Sequence, residues 1–191
     1  MHKILIRLTF IVTTIANLSL LVFVPSCDTV NSNSMVQLDV VRQIFSSATG
    51  LIQTPISQDA QVSGRPGNPR ISKINGPSGL LGYSVEREVV SRSGPFRIRV
   101  LLDAQLSVKR VTVVSYPWDR GRDVRKRAFT SQFEGKGPQD PIQLGKDIDA
   151  ITGATISSRV MAEGVRDTIK LLKLVREKRR EKQTVILSER K

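Results

Sequence analysis

Between Gly82 and Ser115 the chain alternates apolar and polar residues three times over, with turn signals in between. Gly82–Val90 sets Tyr83, Val85 and Val89 among polar neighbours. Phe96–Leu102 sets Phe96, Ile98, Val100 and Leu102 against Arg97 and Arg99, and Ser107–Ser115 is rich in valine at positions 108, 111, 113 and 114. A period of two turns one side of each segment to a core and the other to water, the signature of a half-buried strand. Ser91-Arg92-Ser93-Gly94-Pro95 and Asp103-Ala104-Gln105 are short enough to join neighbouring strands, so an antiparallel meander is expected.

The flanks read as helix and loop. Val36–Ala48 places Val36, Val40, Val41, Ile44, Phe45 and Ala48 at three- and four-residue spacing, an amphipathic helix. Thr54–Leu81 is dense in proline and glycine and predicts a long loop, with a short strand at Arg70–Ile74. Asp123–Phe133 predicts a short helix with Val124, Ala128 and Phe129 inward and Gly135 as its stop. A last helix is expected from about Ser157 to Arg180, where Val160, Met161, Val165, Ile169, Leu172 and Leu174/Val175 form an apolar stripe. The fold class is α+β, one twisted and largely antiparallel sheet with helices packed on it. The divisions are a leader at 1–27, a spacer, helix and loop at 28–81, a domain at 82–175 and a basic tail at 176–191.

Two scarce residue types narrow the chemistry. The only histidine is His2 and the only cysteine is Cys27. Everything beyond Cys27 lacks imidazole and thiol, which removes Ser-His-Asp and Cys-His catalysis, His/Cys zinc sites, cysteine-bound clusters and His-ligated haem. Redox chemistry in this chain therefore needs an organic cofactor. The net charge of +13 would suit anionic partners, but nearly half of it sits in the tail from Lys170 to Lys191. Nucleic acid is not expected as a partner, because no basic motif is interleaved with aromatic residues.

The N-terminus reads as a leader. His2, Lys3 and Arg7 precede an uncharged run from Leu8 to Val24. As a helix that run would extend roughly 25 Å, a little short of the ~30 Å hydrocarbon core. The positive flank stays cytoplasmic, so the expectation is a domain outside the cytoplasm, on the periplasmic side of a membrane that tethers it. Val24-Pro25-Ser26-Cys27 resembles a bacterial lipobox with Cys27 as the lipidated residue; an uncleaved signal anchor is the other reading. Asp28–Ser34 is polar and reads as a spacer.

The candidate site is Asp149-Ala150-Ile151-Thr152-Gly153-Ala154-Thr155. Gly153 and Ala154 leave little bulk beside the Thr155 hydroxyl, and Ser157 and Ser158 can add donors. The N-terminus of the last helix offers free N–H groups and a dipole that favours a phosphate. The same residues would also serve as a simple helix cap and turn.

This heptad resembles the flavinylation motif, Asp-x-x-Ser/Thr-Gly-Ala-Thr/Ser, of the small FMN-binding domains of the Rnf and Nqr redox complexes. The segments upstream of it, Arg120-Gly121, Phe129–Lys136 and Leu144–Asp149, occur in the order seen in stand-alone FMN-binding domains. The likeness covers roughly Gly82 to Lys170 and is strongest from Arg120 to Arg166. Where many Rnf- and Nqr-type subunits carry a Glu-Thr-Pro-Gly-like loop, this chain has Tyr116-Pro117-Trp118-Asp119-Arg120-Gly121.

The resemblance implies FMN joined through its phosphate to Thr155, with Thr152, Gly153 and Ala154 shaping the site. It makes Asp149 part of the sequence read by a flavin transferase, which takes FMN from FAD with Mg²⁺. Trp118 or Tyr116 could then stack on the isoalloxazine and Arg120 stabilise reduced flavin, although Trp118 reads equally well as a packing aromatic. Phe129 and Phe133 read as helix core, and Lys136 and Lys146 as solvent-facing lysines near a phosphate. The implied partners are the transferase, a membrane redox complex or other electron-transfer proteins, and the membrane. The chain would be an electron-transfer flavoprotein rather than a stand-alone enzyme. The alternative is an envelope lipoprotein that binds an anionic ligand or polymer without a redox cofactor.

Overall fold

The computed structural model describes residues 32–54 and 69–189. The leader, Cys27 and residues 55–68 of the Pro/Gly-rich stretch lie outside them. Asn31–Lys191 form one compact unit.

Among the described residues, five strands make a single sheet in the order β1-β2-β3-β4-β5: β1 Gly50–Thr54, β2 Arg70–Gly76, β3 Gly79–Ser91, β4 Gly94–Asp103 and β5 Val108–Ser115. Every neighbouring pair is antiparallel. The three alternating segments are β3, β4 and β5, joined by the two turns expected of them. The sheet is nevertheless larger than its alternation suggests. β2 is the short strand expected at Arg70–Ile74, extended to Gly76, while β1 lies just before the Pro/Gly-rich stretch and its five residues show no clear alternation. Irregularities in register at Ile74/Asn75, Arg97/Ile98 and Leu101/Leu102 twist the sheet.

The alternation decides which face is which. Tyr83, Val85 and Val89 of β3 join Phe96, Ile98, Val100 and Leu102 of β4 and Val108 and Val111 of β5 in the main core. That face is covered by helix α3, Thr155–Glu189, through Met161, Ala162, Val165, Ile169, Leu171 and Leu172. Helix and sheet meet at Gly164, where a Cβ would lie 2.6 Å from Val89 Cγ1 and 3.1 Å from Ile98 Cδ1. On the opposite face Glu86 and Arg99, paired in register, form an ion pair with Arg99 Nε 2.9 Å from Glu86 Oε1. There helix α1, Ser32–Arg42, and the turns after it bring Val41 and Ala48 against Ile74 and Leu101, with Leu38, Ile44 and Phe45 alongside.

Several element boundaries differ from expectation. Helix α1 starts at Ser32, inside the expected spacer, and stops at Arg42; Phe45 N–H returns to Val41 O at 2.8 Å, so residues to Ala48 run on as turns. The Asp123–Phe133 helix is three short pieces, a 3-10 turn at Arg122–Arg125, helix α2 at Arg127–Thr130 and a 3-10 turn at Ser131–Phe133. The breaks rotate Ala128 outward while Val124, Phe129 and Phe133 stay buried. Phe129 and Phe133 pack edge to face at 5.4 Å, as core residues. α3 begins two residues before the expected Ser157 and runs beyond Arg180, since the charged stretch after Arg176 is built of strong helix formers.

Candidate functional site

The start of α3 organises the site. Ser158 N–H makes the first helical hydrogen bond, to Ala154 O at 2.8 Å, so Ala154 is the cap and Thr155 the first helical residue. The N–H groups of Thr155, Ile156 and Ser157 precede that bond and have no helical acceptor. Gly153, at φ +79, turns the chain into the helix in a conformation side chains disfavour. Ala154 N–H closes the turn onto Ile151 O at 2.9 Å, and Ala154 is buried while Thr155 is exposed.

Thr155 opens onto a cleft of about 550 Å³, lined by Arg92, Ser93, Arg120, Gly121 and the stretch from Gly153 to Ser157. That volume lies within the ~300–1,000 Å³ usual for small-molecule sites. Three pieces of chain enclose it: the β3–β4 turn, the segment after β5 and the start of α3. Arg92 and Arg120 are both exposed, neither forms an ion pair among the described residues, and no carboxylate lines the cleft. Basic residues further along are engaged differently, with Arg122 3.8 Å from Asp119 and Lys126 2.8 Å from Asp123. Two unpaired guanidiniums and three free backbone N–H groups form a donor set that fits a phosphate-bearing ligand.

The segment Tyr116–Gly121 ties the walls together. Tyr116 OH donates to Arg120 O at 2.7 Å and lies 3.0 Å from Ser157 Oγ. Its ring is buried against Phe96, centroids 4.8 Å apart, so it offers no face for stacking on a ligand. Trp118 donates its indole N–H to Pro95 O at 2.8 Å, and its ring sits over Gly94, where a Cβ would lie 2.1 Å from Cζ2. Trp118 does not line the cleft; it braces the hairpin that carries Arg92 and Ser93. Gly121 is held at φ +83, and a Cβ there would come within 2.5 Å of both Ser157 Oγ and Tyr116 OH.

Other expected site residues sit elsewhere. Ser157 reaches the cleft, but its hydroxyl is engaged with Tyr116. Ser158 is fully buried and its Oγ accepts Ile151 N–H at 3.3 Å, which holds the turn rather than a ligand. Asp149 and Thr152 are exposed and do not line the cleft. Gln132 grips the backbone of Asp149 from both sides, accepting its N–H at 2.7 Å and donating to its carbonyl at 3.4 Å. Lys146 is exposed, while Lys136 Nζ is 3.1 Å from Asp147. Burial pushes the Asp147 carboxyl up, but N–H bonds from Gln143 and Ile142 and the Lys136 ammonium outweigh it, leaving the acid below its ordinary value.

Arg92, Ser93 and Ile156 were not legible as site residues. The first two read only as a hairpin turn, and nothing local tells which way a hairpin tip leans in the tertiary structure.

Residues 92–170 match the family model of the FMN-binding domain. This chain carries an FMN-binding domain. The match contains every residue that lines the cleft, from Arg92 on β3–β4 to Ser157 on α3. It begins ten residues inside the span of the sequence likeness, which started at Gly82. The five-stranded antiparallel sheet with packed helices is consistent with such a domain, and the match supports flavin binding and an electron-transfer role. No curated protein matches the chain.

Proposed function

We propose that this protein is a membrane-tethered, extracytoplasmic electron carrier whose FMN-binding domain holds FMN as a phosphoester on Thr155. One observation carries the reading. The exposed Thr155 hydroxyl is the first side chain of α3, at the rim of a cleft whose charged lining residues, among the described residues, are Arg92 and Arg120. An attached phosphate would meet the unbonded N–H groups of the first turn and both guanidiniums, with no carboxylate opposing it. Bound FMN would supply one- and two-electron transfer through its ring system.

The residues divide the work. Thr155 supplies the oxygen, Gly153 and Ala154 keep its approach clear, and Arg120 and Arg92 balance negative charge. In the loading reaction Thr155 Oγ bonds to the FMN-side phosphorus of FAD, the pyrophosphate bond breaks, AMP leaves and the hydroxyl proton passes to a base of the flavin transferase. Covalent attachment suits an exported carrier. A nanomolar noncovalent site, about −12 kcal/mol, still sheds its ligand on dilution where no free pool refills it. Asp149, exposed as the first residue of the motif and steadied by Gln132, is available to the transferase. Location and tether rest on the sequence alone, on the Leu8–Val24 run and Cys27. Among the described residues no helix is long and apolar enough to cross a membrane. The partners that fit are the transferase and a membrane redox complex.

Intact-mass measurement on protein made in a host that carries a flavin transferase tests the attachment. Wild type should gain the mass of FMN less water, and Thr155→Ala should gain nothing. Wild type at its unmodified mass overturns the covalent reading. Protein that also stays colourless and binds no added FMN points instead to a binder of anionic ligands.

A further inference from the structure

The segment Tyr116–Gly121 leaves the end of β5 and reaches both other walls of the cleft. One contact goes to the β3–β4 hairpin, through Trp118 on Gly94 and Pro95. The other goes to the first turn of α3, through Tyr116. A phenol has one hydrogen, and Tyr116 gives it to Arg120 O, 2.7 Å away. The Ser157 hydroxyl, 3.0 Å from the same oxygen, is therefore the donor in the second bond. This orders a chain: Ser157 O–H to Tyr116 O, and Tyr116 O–H to the backbone of Arg120. Both hydroxyl-bearing residues are buried, with Tyr116 at 9% and Ser157 at 5% exposure.

The residues at its two ends adjoin the groups that matter. Arg120, whose carbonyl is held, lines the cleft, and Ser157 lies two residues after Thr155 on the same helical turn. Gly121 shows how close the approach is, since even a methyl group there would collide with both hydroxyls.

We propose that Tyr116 is a positioning residue of the attachment site, its hydroxyl coupling the Arg120 backbone to the first turn of α3 and so fixing a guanidinium relative to the Thr155 oxygen. The proposal rests on the reading of Thr155 as the point of FMN attachment. Tyr116 does not itself line the cleft; it acts through Arg120 and Ser157, which do. Its ring belongs to the core and its hydroxyl to the site, so the two roles are separable in one substitution.

Tyr116→Phe keeps the packing on Phe96 and deletes the hydroxyl. Two readouts follow, one before loading and one during it. In unloaded protein, hydrogen exchange over residues 116–123 and 153–158 should speed up, with exchange over β3 and β4 unchanged. With FAD, Mg²⁺ and a transferase, the initial rate of FMN gain by intact mass should fall about tenfold, the rate equivalent of roughly one hydrogen bond. Ser157→Ala breaks the same chain from its other end and should reproduce both effects. Tyr116→Phe with wild-type exchange and a wild-type loading rate overturns the positioning role while leaving Thr155 attachment standing. Wild type that never gains FMN overturns attachment, and this proposal with it. Loss of exchange protection throughout β3 and β4 would assign Tyr116 to the core alone and also overturn the proposal, with Ser157→Ala as the check.

Discussion

The two halves of α3 are one continuous helix with opposite surroundings. From Thr155 to Leu172 it lies on the sheet, and Met161, Val165, Ile169 and Leu172 are buried in the main core. From Lys173 onward almost every side chain is exposed, with Leu174 at 47% and Leu187 at 61%, and Arg176 touches the domain through Ala104 O at 2.8 Å. The first half is a platform and the second a charged rod. A helix can be sustained by tertiary packing or by local propensity, and this one changes from the first to the second within a few residues. Only the packed half can hold a hydroxyl in register with an arginine on another element. That is where Thr155 stands.

The contrast is open to attack from both sides. The largest effect should come from Leu172→Ala, which removes a fully buried side chain and should cost about 2–5 kcal/mol, whereas Leu187→Ala should stay within about 0.5 kcal/mol. Urea unfolding of both variants measures the difference, and equal costs would end the comparison. Next comes Gly164→Val. With the helix backbone already within contact of Val89 and Ile98, the added bulk should destabilise by about 1–3 kcal/mol in the same assay.

Acid should give the smallest effect, and a localised one. The Asp147 carboxyl, in the loop beside Lys136, is held below its ordinary value, so its contribution is present above the unfolded value of about 4 and is lost as pH falls through the lower folded one. Glu134 has the same sign, chiefly through hydrogen bonds from Arg127. Exchange measured from pH 5 downward should therefore loosen residues 134–148 and leave the exposed half of α3 unchanged. Asp147→Asn should flatten the response of its own loop.

Much of this was readable in the residues themselves. The period of two in β3, β4 and β5 survives in sequence because each strand has one covered face that demands apolar side chains. The core positions of α3 are legible for the same reason at a period near 3.6. The short strand expected at Arg70–Ile74 is β2, two residues longer than expected; β1 was hidden because it is short and lies against the Pro/Gly-rich stretch, so pairing with β2, rather than its own pattern, makes it a strand. The start of α3 was misplaced by two residues because Thr155 and Ser157 look like side-chain caps, while the backbone uses Ala154 and spends Ser157 on Tyr116.

The site divides along the same line. Gly153, Ala154 and Thr155 are contiguous, so local chemistry suffices to mark them, and Arg120-Gly121 stood out through the order of segments. By itself, the sequence determined the alternating faces of the three central strands, the apolar face of α3 and the hydroxyl at its head, because each depends on neighbours a few residues away. Which ring stacks, which hydroxyl is spent and which arginine faces Thr155 were decided only in three dimensions. Arg92 comes from a hairpin more than sixty residues earlier, and Trp118 and Tyr116 turn to the hairpin and the core instead of the cleft. Such contacts are set by how far β3 and β4 extend beyond the sheet edge and how closely α3 lies upon them, and no short stretch of chain encodes either.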